Sequence, residues 1–294
     1  APVTSANGIV ILQADFDHSN SGALTDGAGG IVTTSGLILG GNTVNIDADS
    51  TLITLAGDAR ADFTFSNDSS YTVGTVSPAA RDAVTGITSD VGDIDLDTAD
   101  VITIAADVET ITGAVTIDAN DDNDGAAADN ASVLVQANIS GDNVVITASD
   151  SSSATESIVV TGDGTSTTVN TWGSTTYNAT NGTLDIDANV TAADALTFSS
   201  SDTLTVAGGF AINAEHAITF TDALTVDGDG GNTLTIVSDD ADVNFNGIID
   251  EGGANDNISL SVTADSGKVD FNDIVGGTRP LDTVTVAIES TQIE

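Results

Sequence analysis

Residues 243–294 contain one pattern twice, as VNFNGIIDEGGANDNISLSVTADSGK at 243–268 and VDFNDIVGGTRPLDTVTVAIESTQIE at 269–294. At an offset of 26 residues the aligned apolar pairs are Val243–Val269, Phe245–Phe271, Ile248–Ile274, Ile249–Val275, Ile258–Val284, Leu260–Val286 and Val262–Ile288. Apolar residues two positions apart lie on one face of a strand, so each copy predicts two short strands separated by turns. A unit this small cannot bury its own apolar face and must stack on its neighbours. The sequence therefore predicts a repeat protein.

The same signal continues upstream with similar spacing. Leu196–Phe198 recurs 22 residues later at Ile218–Phe220, and Leu204–Val206 recurs 20 residues later at Leu224–Val226. Repeats of 20–26 residues with several strands in each are typical of a right-handed parallel β-helix. We expect an all-β protein whose 294 residues form one elongated domain.

Two segments interrupt the regular pattern, residues 66–89 and residues 149–181. Both are predicted to be irregular lateral insertions on the stack of coils. The alternative fold is a pair of tandem β-sandwiches, which would need antiparallel hairpins with tight two-residue turns. Such turns are sparse in this sequence, and the β-helix is favoured.

The composition is strongly acidic. Four Lys and Arg residues face 45 Asp and Glu residues, a formal charge of −41, while 40% of the residues are hydrophobic, which argues against disorder. Such a surface repels nucleic acids and anionic membranes and attracts cations. No apolar run of about 18 residues is present, so we expect no membrane insertion. Bound calcium would balance the carboxylates, and a merely soluble, halophile-like surface is the alternative.

Several acidic loops are candidate calcium sites, because Ca²⁺ takes six to eight oxygen ligands in irregular geometry. The alternative for each loop is a solvated turn held by side-chain hydrogen bonds. The predicted ligands are Asp118, Asn120, Asp121, Asp122 and Asp124, with weaker candidates at Asp15, Asp17, Asp227 and Asp229.

Residues 242–247 resemble the start of an EF-hand calcium loop, but the twelfth position is Gly253 where the loop needs Glu. Since Val243 and Phe245 recur in the second copy, a repeat strand explains these residues better.

Catalytic signals are weak. The chain has no cysteine, and its two histidines, His18 and His216, stand in unrelated contexts. The four basic residues at 60, 81, 268 and 279 are too scattered to serve a lyase acting on acidic glycans. We therefore expect no enzymatic activity. Paired carboxylates can hydrolyse glycosides, so a glycan-active β-helix enzyme is the less favoured alternative.

Short motifs carry a family resemblance. VDFNDIVGG at 269–277, RPLDTVTV at 279–286, GDIDL at 92–96 and GTLDIDA at 182–188 resemble the strand repeats of large secreted bacterial surface proteins. These are of the filamentous-haemagglutinin and autotransporter-adhesin type. The similarity covers most of the chain outside residues 66–89 and 149–181. It implies an elongated, non-enzymatic protein located outside the cell or on its surface, with no catalytic residues to transfer.

The predicted function is that of a subunit or segment of a fibre, sheath or surface layer. The strand clusters 9–12 and 284–288 show no polar cap in the sequence, and unpaired strand edges join other strands. We therefore expect a homo-oligomer or polymer formed through open strand ends. The alternative is an adhesin stalk that binds a cell-surface glycan or protein through the lateral insertions.

Overall fold

The computed structural model describes residues 3–5, 8–14, 21–26, 31–33, 35–48, 51, 53–79, 81–120, 131–149, 157–161, 173–228, 233–253 and 257–288. Its regular elements are all strands: β1 (Val3–Ser5), β2 (Ile9–Gln13), β3 (Ala23–Thr25), β4 (Ile31–Thr33), β5 (Gly36–Gly41), β6 (Thr43–Ala48), β7 (Ile53–Ala59), β8 (Phe63–Asn67), β9 (Tyr71–Val73), β10 (Thr75–Val76), β11 (Val84–Thr85), β12 (Ile87–Ser89), β13 (Ile94–Thr98), β14 (Val101–Ile104), β15 (Val108–Thr110), β16 (Ala114–Asn120), β17 (Ser132–Val135), β18 (Ile139–Ser140), β19 (Asn143–Ser149), β20 (Ser157–Thr161), β21 (Ser174–Thr180), β22 (Thr183–Asp187), β23 (Val190–Ala192), β24 (Leu196–Ser200), β25 (Thr203–Ala207), β26 (Ala211–Ala214), β27 (Ile218–Phe220), β28 (Leu224–Asp227), β29 (Thr233–Ser238), β30 (Val243–Phe245), β31 (Ile249–Glu251), β32 (Ser259–Ala264), β33 (Val269–Phe271) and β34 (Thr283–Ile288).

Successive strands enter three sheets in a fixed order. Sheet 1 is β3-β6-β8-β13-β16-β19-β21-β24-β27-β30-β33, and sheet 2 is β2-β5-β7-β9-β14-β17-β20-β22-β25-β28-β31. Sheet 3 consists of β12-β15-β18, which joins sheet 2 through β7, and of β23-β26-β29-β32-β34. One passage through sheets 1, 2 and 3 is a coil.

Nearly all of the strand pairing is parallel. Of the pairs that the structure describes, only β10–β11 is antiparallel. Stacked three-sided coils with parallel pairing are the architecture of a parallel β-helix, and the expectation of an all-β stack of coils is confirmed. The tandem-sandwich alternative is wrong, because a sandwich would pair neighbouring strands as antiparallel hairpins.

The register of the last two coils corrects part of the repeat. Val243 pairs with Val269 and Phe245 with Phe271, as the 26-residue offset predicts. In sheet 3 the offset is instead 284 − 260 = 24, because Leu260 pairs with Val284. The segment between β33 and β34 is two residues shorter than the one between β30 and β32. The register of β34 is thus shifted by two residues from the 26-residue repeat. Because side chains alternate between the two faces of a strand, a shift of two keeps the inward side chains facing inward, and the fold tolerates the shorter segment.

The core is one continuous column of inward side chains along the stack. In sheet 1, one inward row ends in five aromatic residues from successive coils: Tyr177, Phe198, Phe220, Phe245 and Phe271. Their ring centroids are 5.0–5.4 Å apart and their planes lie within 12° of parallel. Because neighbouring parallel strands are about 4.8 Å apart, rings at equivalent positions must stack. This row is called the aromatic ladder.

Buried hydroxyls and glycines shape the turns between sheets 3 and 1. Hydroxyl groups there donate to carbonyl oxygens of the coil below: Ser89 to Ala61 at 2.6 Å, Thr110 to Gly92 at 2.7 Å, and Ser238 to His216 at 2.8 Å. These contacts satisfy buried polar groups where the strand ladder is interrupted. At Gly113 a Cβ atom would lie 2.1 Å from the Gly92 carbonyl oxygen, so only glycine allows the coils to approach there.

The segments predicted to be lateral insertions hold several strands of the stack. Within residues 66–89, β9 belongs to sheet 2 and β12 to sheet 3, and the antiparallel β10–β11 hairpin stands between them. The hairpin residue Val76 buries Ile38 and Ala56 in a small apolar cluster separate from the main core. Within residues 149–181, β20 and β21 belong to sheets 2 and 1. Residues 150–156 and 162–172 lie outside the described part.

Residues 276–282, here called the strap, cover the edge of β31, the last strand of sheet 2. The Glu251 amide donates to the Arg279 carbonyl at 3.2 Å, and the Thr278 amide donates to Asp250 Oδ1 at 3.1 Å. The Arg279 guanidinium donates to the Gly252 carbonyl. Sheets 1 and 3 have no such cover in the described residues, where β33 and β34 are their last strands.

Candidate functional site

The strongest predicted calcium loop is described only at its start. Asp118 lies on the outer face of sheet 1, paired in register with Asp97 of the preceding coil. Asn120 is exposed at the end of the same strand, and its Oδ1 atom accepts a hydrogen bond from the Ser149 hydroxyl at 3.1 Å. The other predicted ligands of this loop, Asp121, Asp122 and Asp124, lie outside the described residues.

Asp118 belongs to a crowded group of carboxylates with Asp95 and Asp97, here called the acidic patch. Partial burial raises the pKa of Asp118, and the Asp95 carboxylate raises it further. Burial also raises the pKa of Asp95, followed by the charge of Asp93. One oxygen of Asp118 is buried and has no hydrogen-bond partner within the described structure. A bound cation would relieve both the repulsion and the missing contact, and carboxylate oxygens suit calcium.

A second group of carboxylates lies on the outer face of sheet 2. Asp227, predicted as a weak ligand, ends β28, and its Oδ1 atom accepts the Gly228 amide at 2.8 Å. Burial raises the pKa of Asp185, and the charges of Asp187 and Asp227 add to this effect. Sequence reasoning missed Asp185 and Asp187, although their alternation with Leu184 and Ile186 places them outward.

The other weak candidates, Asp15, Asp17 and Asp229, lie outside the described residues. Across the described ranges, no group of three or more His, Cys, Asp or Glu side chains is placed to hold a metal ion.

Many acidic side chains have structural partners in the next coil. Asp93 Oδ1 accepts the Ala114 amide at 2.8 Å, and Asp107 Oδ1 accepts the Asn138 amide at 3.1 Å. Asp242 Oδ1 accepts the Lys268 amide at 2.9 Å, and β30 follows it, so the EF-hand-like stretch is a repeat strand with a capping carboxylate. At these turns the carboxylates accept backbone amide hydrogen bonds that carbonyl oxygens accept within the strands. This is a structural role that requires no ligand.

A histidine–carboxylate pair lies on a turn between sheets 3 and 1. His216 Nδ1 is 3.1 Å from Asp194 Oδ1, and both side chains are about half exposed. The adjacent residues Ala193 and Glu215 line a shallow groove of about 300 Å³, together with Asp239 and Asp240 among others. An exposed pair of this kind orients the imidazole but is worth little in free energy.

The C-terminal end of the stack exposes apolar side chains. Val284, Val286 and Ile288 are 40%, 42% and 50% exposed, whereas Leu260 and Val262 in the coil below are fully buried. Ile274 is 59% exposed, and Phe271 stacks on Phe245 as the last ring of the aromatic ladder. Within the described residues no further strand pairs with β33 or β34. We call Phe271, Ile274, Val284, Val286 and Ile288 the end surface.

Sequence reasoning missed both the strap and the buried carboxylate beneath it. Glu251 pairs in register with Val226 and points inward, with only 8% of its surface exposed. Its Oε1 atom has no hydrogen-bond partner in the described structure. The inward orientation of Glu251 could have been predicted from the sequence, because Glu251 lies two positions after the inward residue Ile249 on the same strand.

Among the described residues, no helix is long and apolar enough to cross a membrane. No protein-family model, curated protein or solved structure matches the chain.

Proposed function

We propose that this chain is a non-enzymatic structural element of an extracellular fibre, sheath or surface layer. It acts as a right-handed β-helical rod that joins another stack of coils at its C-terminal end. The observation that carries the proposal is the end surface, where the inward row of β34 is exposed beside a strand edge that no other described strand covers. Exposed apolar residues on an unpaired edge strand form a template for pairing with further strands.

The shape of the stack supports a structural role. Sheet 1 has eleven strands in the described residues, and ten spacings of about 4.8 Å give a length of about 48 Å. One core runs through these coils, so each coil is held by two neighbours and the rod is stiff along its axis. The right-handed sense follows from the strong preference of parallel strand connections for that hand.

Calcium forms part of the proposal through the acidic patch. Asp95, Asp97 and Asp118 hold like charges on adjacent coils of a chain whose formal charge is −41. A divalent cation between coils would turn this repulsion into a contact along the rod axis.

The test is sedimentation velocity of the purified chain in millimolar calcium and after chelation, with a Val286→Asp variant beside it. We expect assemblies larger than a monomer for the native chain, smaller after chelation, and a monomer for Val286→Asp. Val91→Asp is the matched control, because Val91 is 58% exposed at a turn away from the end surface. A native chain that stays monomeric in both buffers would overturn the proposal.

A further inference from the structure

The outer face of sheet 1 carries a regular, uncharged set of side chains in the coils that hold the aromatic ladder. Strands β21, β24, β27 and β30 each place two polar side chains outward, and these form two rows along the stack. Hydrogen bonding between neighbouring strands keeps each row in register. These eight residues, here called the polar array, are Thr176, Thr197, Thr219 and Asn244 in the first row and Asn178, Ser199, Thr221 and Asn246 in the second.

We propose that the polar array binds ice, so that this side of the rod adheres to the surface of an ice crystal. The inference goes beyond the proposed function, because it uses a side face of the stack and no strand edge. Ice is an uncharged partner whose surface offers hydrogen-bond donors and acceptors at fixed repeats. A protein surface that binds it needs a matching spacing, a flat shape, ordered side chains and no charge.

The spacing of the polar array follows from strand geometry. Neighbouring strands lie about 4.8 Å apart along the rod, and outward residues two positions apart on one strand lie about 6.7 Å apart across it. Oxygen atoms in hexagonal ice repeat along two perpendicular directions at distances close to these two values. Water molecules held by the hydroxyl and amide groups of the array therefore lie near positions of the ice lattice.

The aromatic ladder, on the inner side of the same strands, keeps the polar array flat. Strands in ordinary sheets rotate by about 20–25° from one to the next, and stacking of side chains is one device that removes this twist. The rings of Tyr177, Phe198, Phe220 and Phe245 lie 5.0–5.4 Å apart and within 12° of parallel. A twisted face would lose register with a crystal plane after a few coils, whereas a flat face keeps it.

The side chains of the array are held in place by the protein. The Thr221 hydroxyl donates to the Phe198 carbonyl at 3.1 Å, and the Asn272 side-chain amide of the next coil donates to Asn246 Oδ1 at 2.9 Å. In the first row, Thr197 and Thr219 are partly buried. Threonine is β-branched and therefore stiff at χ1, which fixes its hydroxyl and methyl groups. Binding to a crystal surface then costs little side-chain entropy.

Charge distinguishes the polar array from the other outer faces. None of its eight positions is charged in a chain whose formal charge is −41, whereas sheet 2 presents Asp185 and Asp227 in the same half of the stack. A carboxylate orients its hydration water around its own charge and so disturbs an ice-like arrangement. The carboxylate of Asp222, beside the second row, already accepts the Thr221 hydroxyl at 2.5 Å and the Ser200 amide at 2.9 Å.

The array suits ice better than a neutral polysaccharide. Sugar-binding surfaces use aromatic rings as stacking platforms, and the eight outward positions of the array hold no aromatic residue. The aromatic side chains of these strands point inward and are buried. What the array offers instead is a repeated hydroxyl or amide group, with the threonine methyl groups between them, which restrict the orientation of the water that they contact.

Partitioning into slowly grown ice tests this inference. A dilute solution of the purified chain is partly frozen, and the protein concentration in the ice is compared with that in the remaining liquid. We expect the native chain to be enriched in the ice, and Thr219→Lys, in the middle of the first row, to be excluded from it. Thr225→Lys is the matched control, because Thr225 is also partly exposed but lies on the outer face of sheet 2 in the same coil. It should partition as the native chain does.

A gentler variant decides the question if a melting curve shows that Thr219→Lys does not fold. Thr197→Ser with Thr219→Ser removes two methyl groups and changes no charge. We expect this double variant to fold and to be less enriched in ice than the native chain.

Three results would overturn ice binding. One is a native chain that is excluded from ice, and if that chain were retained on insoluble cellulose or chitin, the array would bind a neutral polysaccharide instead. The second is native partitioning by a folded Thr219→Lys variant or, where that variant does not fold, by the double serine variant. The third is an equal loss in Thr219→Lys and Thr225→Lys. None of these results involves the end surface, so the sedimentation test of the proposed function stands apart from them.

Discussion

The two halves of the stack share a fold and a register but differ in the residues that fill them. In the N-terminal half, one inward row of sheet 1 reads Ile46, Phe65, Leu96, Ile117, Ile146, whereas its continuation is the aromatic ladder. The outer face of sheet 1 also differs between the two halves. The N-terminal half carries the acidic patch, and the C-terminal half presents Thr197, Ser199, Thr219, Thr221, Asn244 and Asn246.

This difference shows what stacked coils require of their neighbours. An inward position accepts an aliphatic or an aromatic side chain, because both bury apolar area. A flat ring has its best partner in another ring at the same position of the next coil, which favours runs of aromatics over isolated ones. On the outer face, uncharged side chains can stack at the coil spacing without cost, whereas carboxylates at that spacing repel each other.

The largest expected effect comes from the middle of the aromatic ladder. Phe220 has rings on both sides, at 5.0 Å from Phe198 and from Phe245. We expect Phe220→Ala to lower the free energy of unfolding by roughly 3–5 kcal/mol through lost burial and a cavity. Phe271→Ala, at the partly exposed end with one ring neighbour, should cost about 1–2 kcal/mol. Urea unfolding measures both, and equal losses would contradict the ladder's two-sided packing.

A medium effect is expected from calcium at the acidic patch. Millimolar calcium should raise the melting temperature of the native chain, by about 2–4 °C for each kcal/mol of binding free energy. The double variant Asp95→Asn with Asp118→Asn should lose most of that increase. Thr197→Asn with Thr219→Asn, on the uncharged face, is the control and should keep it. If calcium raised the melting temperature equally in both double variants, calcium would not act through the acidic patch.

The smallest expected effect is a pH dependence at Asp118. Burial raises the pKa of this carboxyl in the folded state, so the folded chain holds the proton more tightly than the unfolded chain. The contribution of Asp118 to stability is therefore greatest below the ordinary pKa of 3.8, and it falls as pH rises through the raised pKa of the folded chain. In calcium-free buffer, Asp118→Asn should raise the free energy of unfolding by about 0.5 kcal/mol at neutral pH, a size typical of partly exposed charges, and should leave it unchanged below pH 3.8.

Urea unfolding at several pH values measures this gain. Thr116→Asn, on the same strand, should show no change with pH. A neutral-pH loss of stability in Asp118→Asn would mean that the carboxylate makes a favourable contact, as it would with a bound cation.

Much of the coil structure could be predicted from local patterns. The alternation around Leu196–Phe198 and Ile218–Phe220 specifies strand, inward face and coil length together, because a strand buries every second residue. The candidate sites were less predictable. Asp118 and Asp227 were selected for acidity, but their neighbours Asp97 and Asp185 come from other coils, and sequence distance does not show which carboxylates meet.

The sequence by itself indicated an all-β repeat whose period and alternation favour a stack of coils, whereas the parallel pairing that excludes tandem sandwiches came from the structure. The tertiary structure decided which strand edges are covered among the described residues. The strap closes sheet 2 through contacts among Asp250, Arg279 and Gly252, and these depend on how a shorter last connection crosses the end of the stack. Local preference fixes what each strand buries, but a free edge exists only where no other segment of the folded chain reaches it.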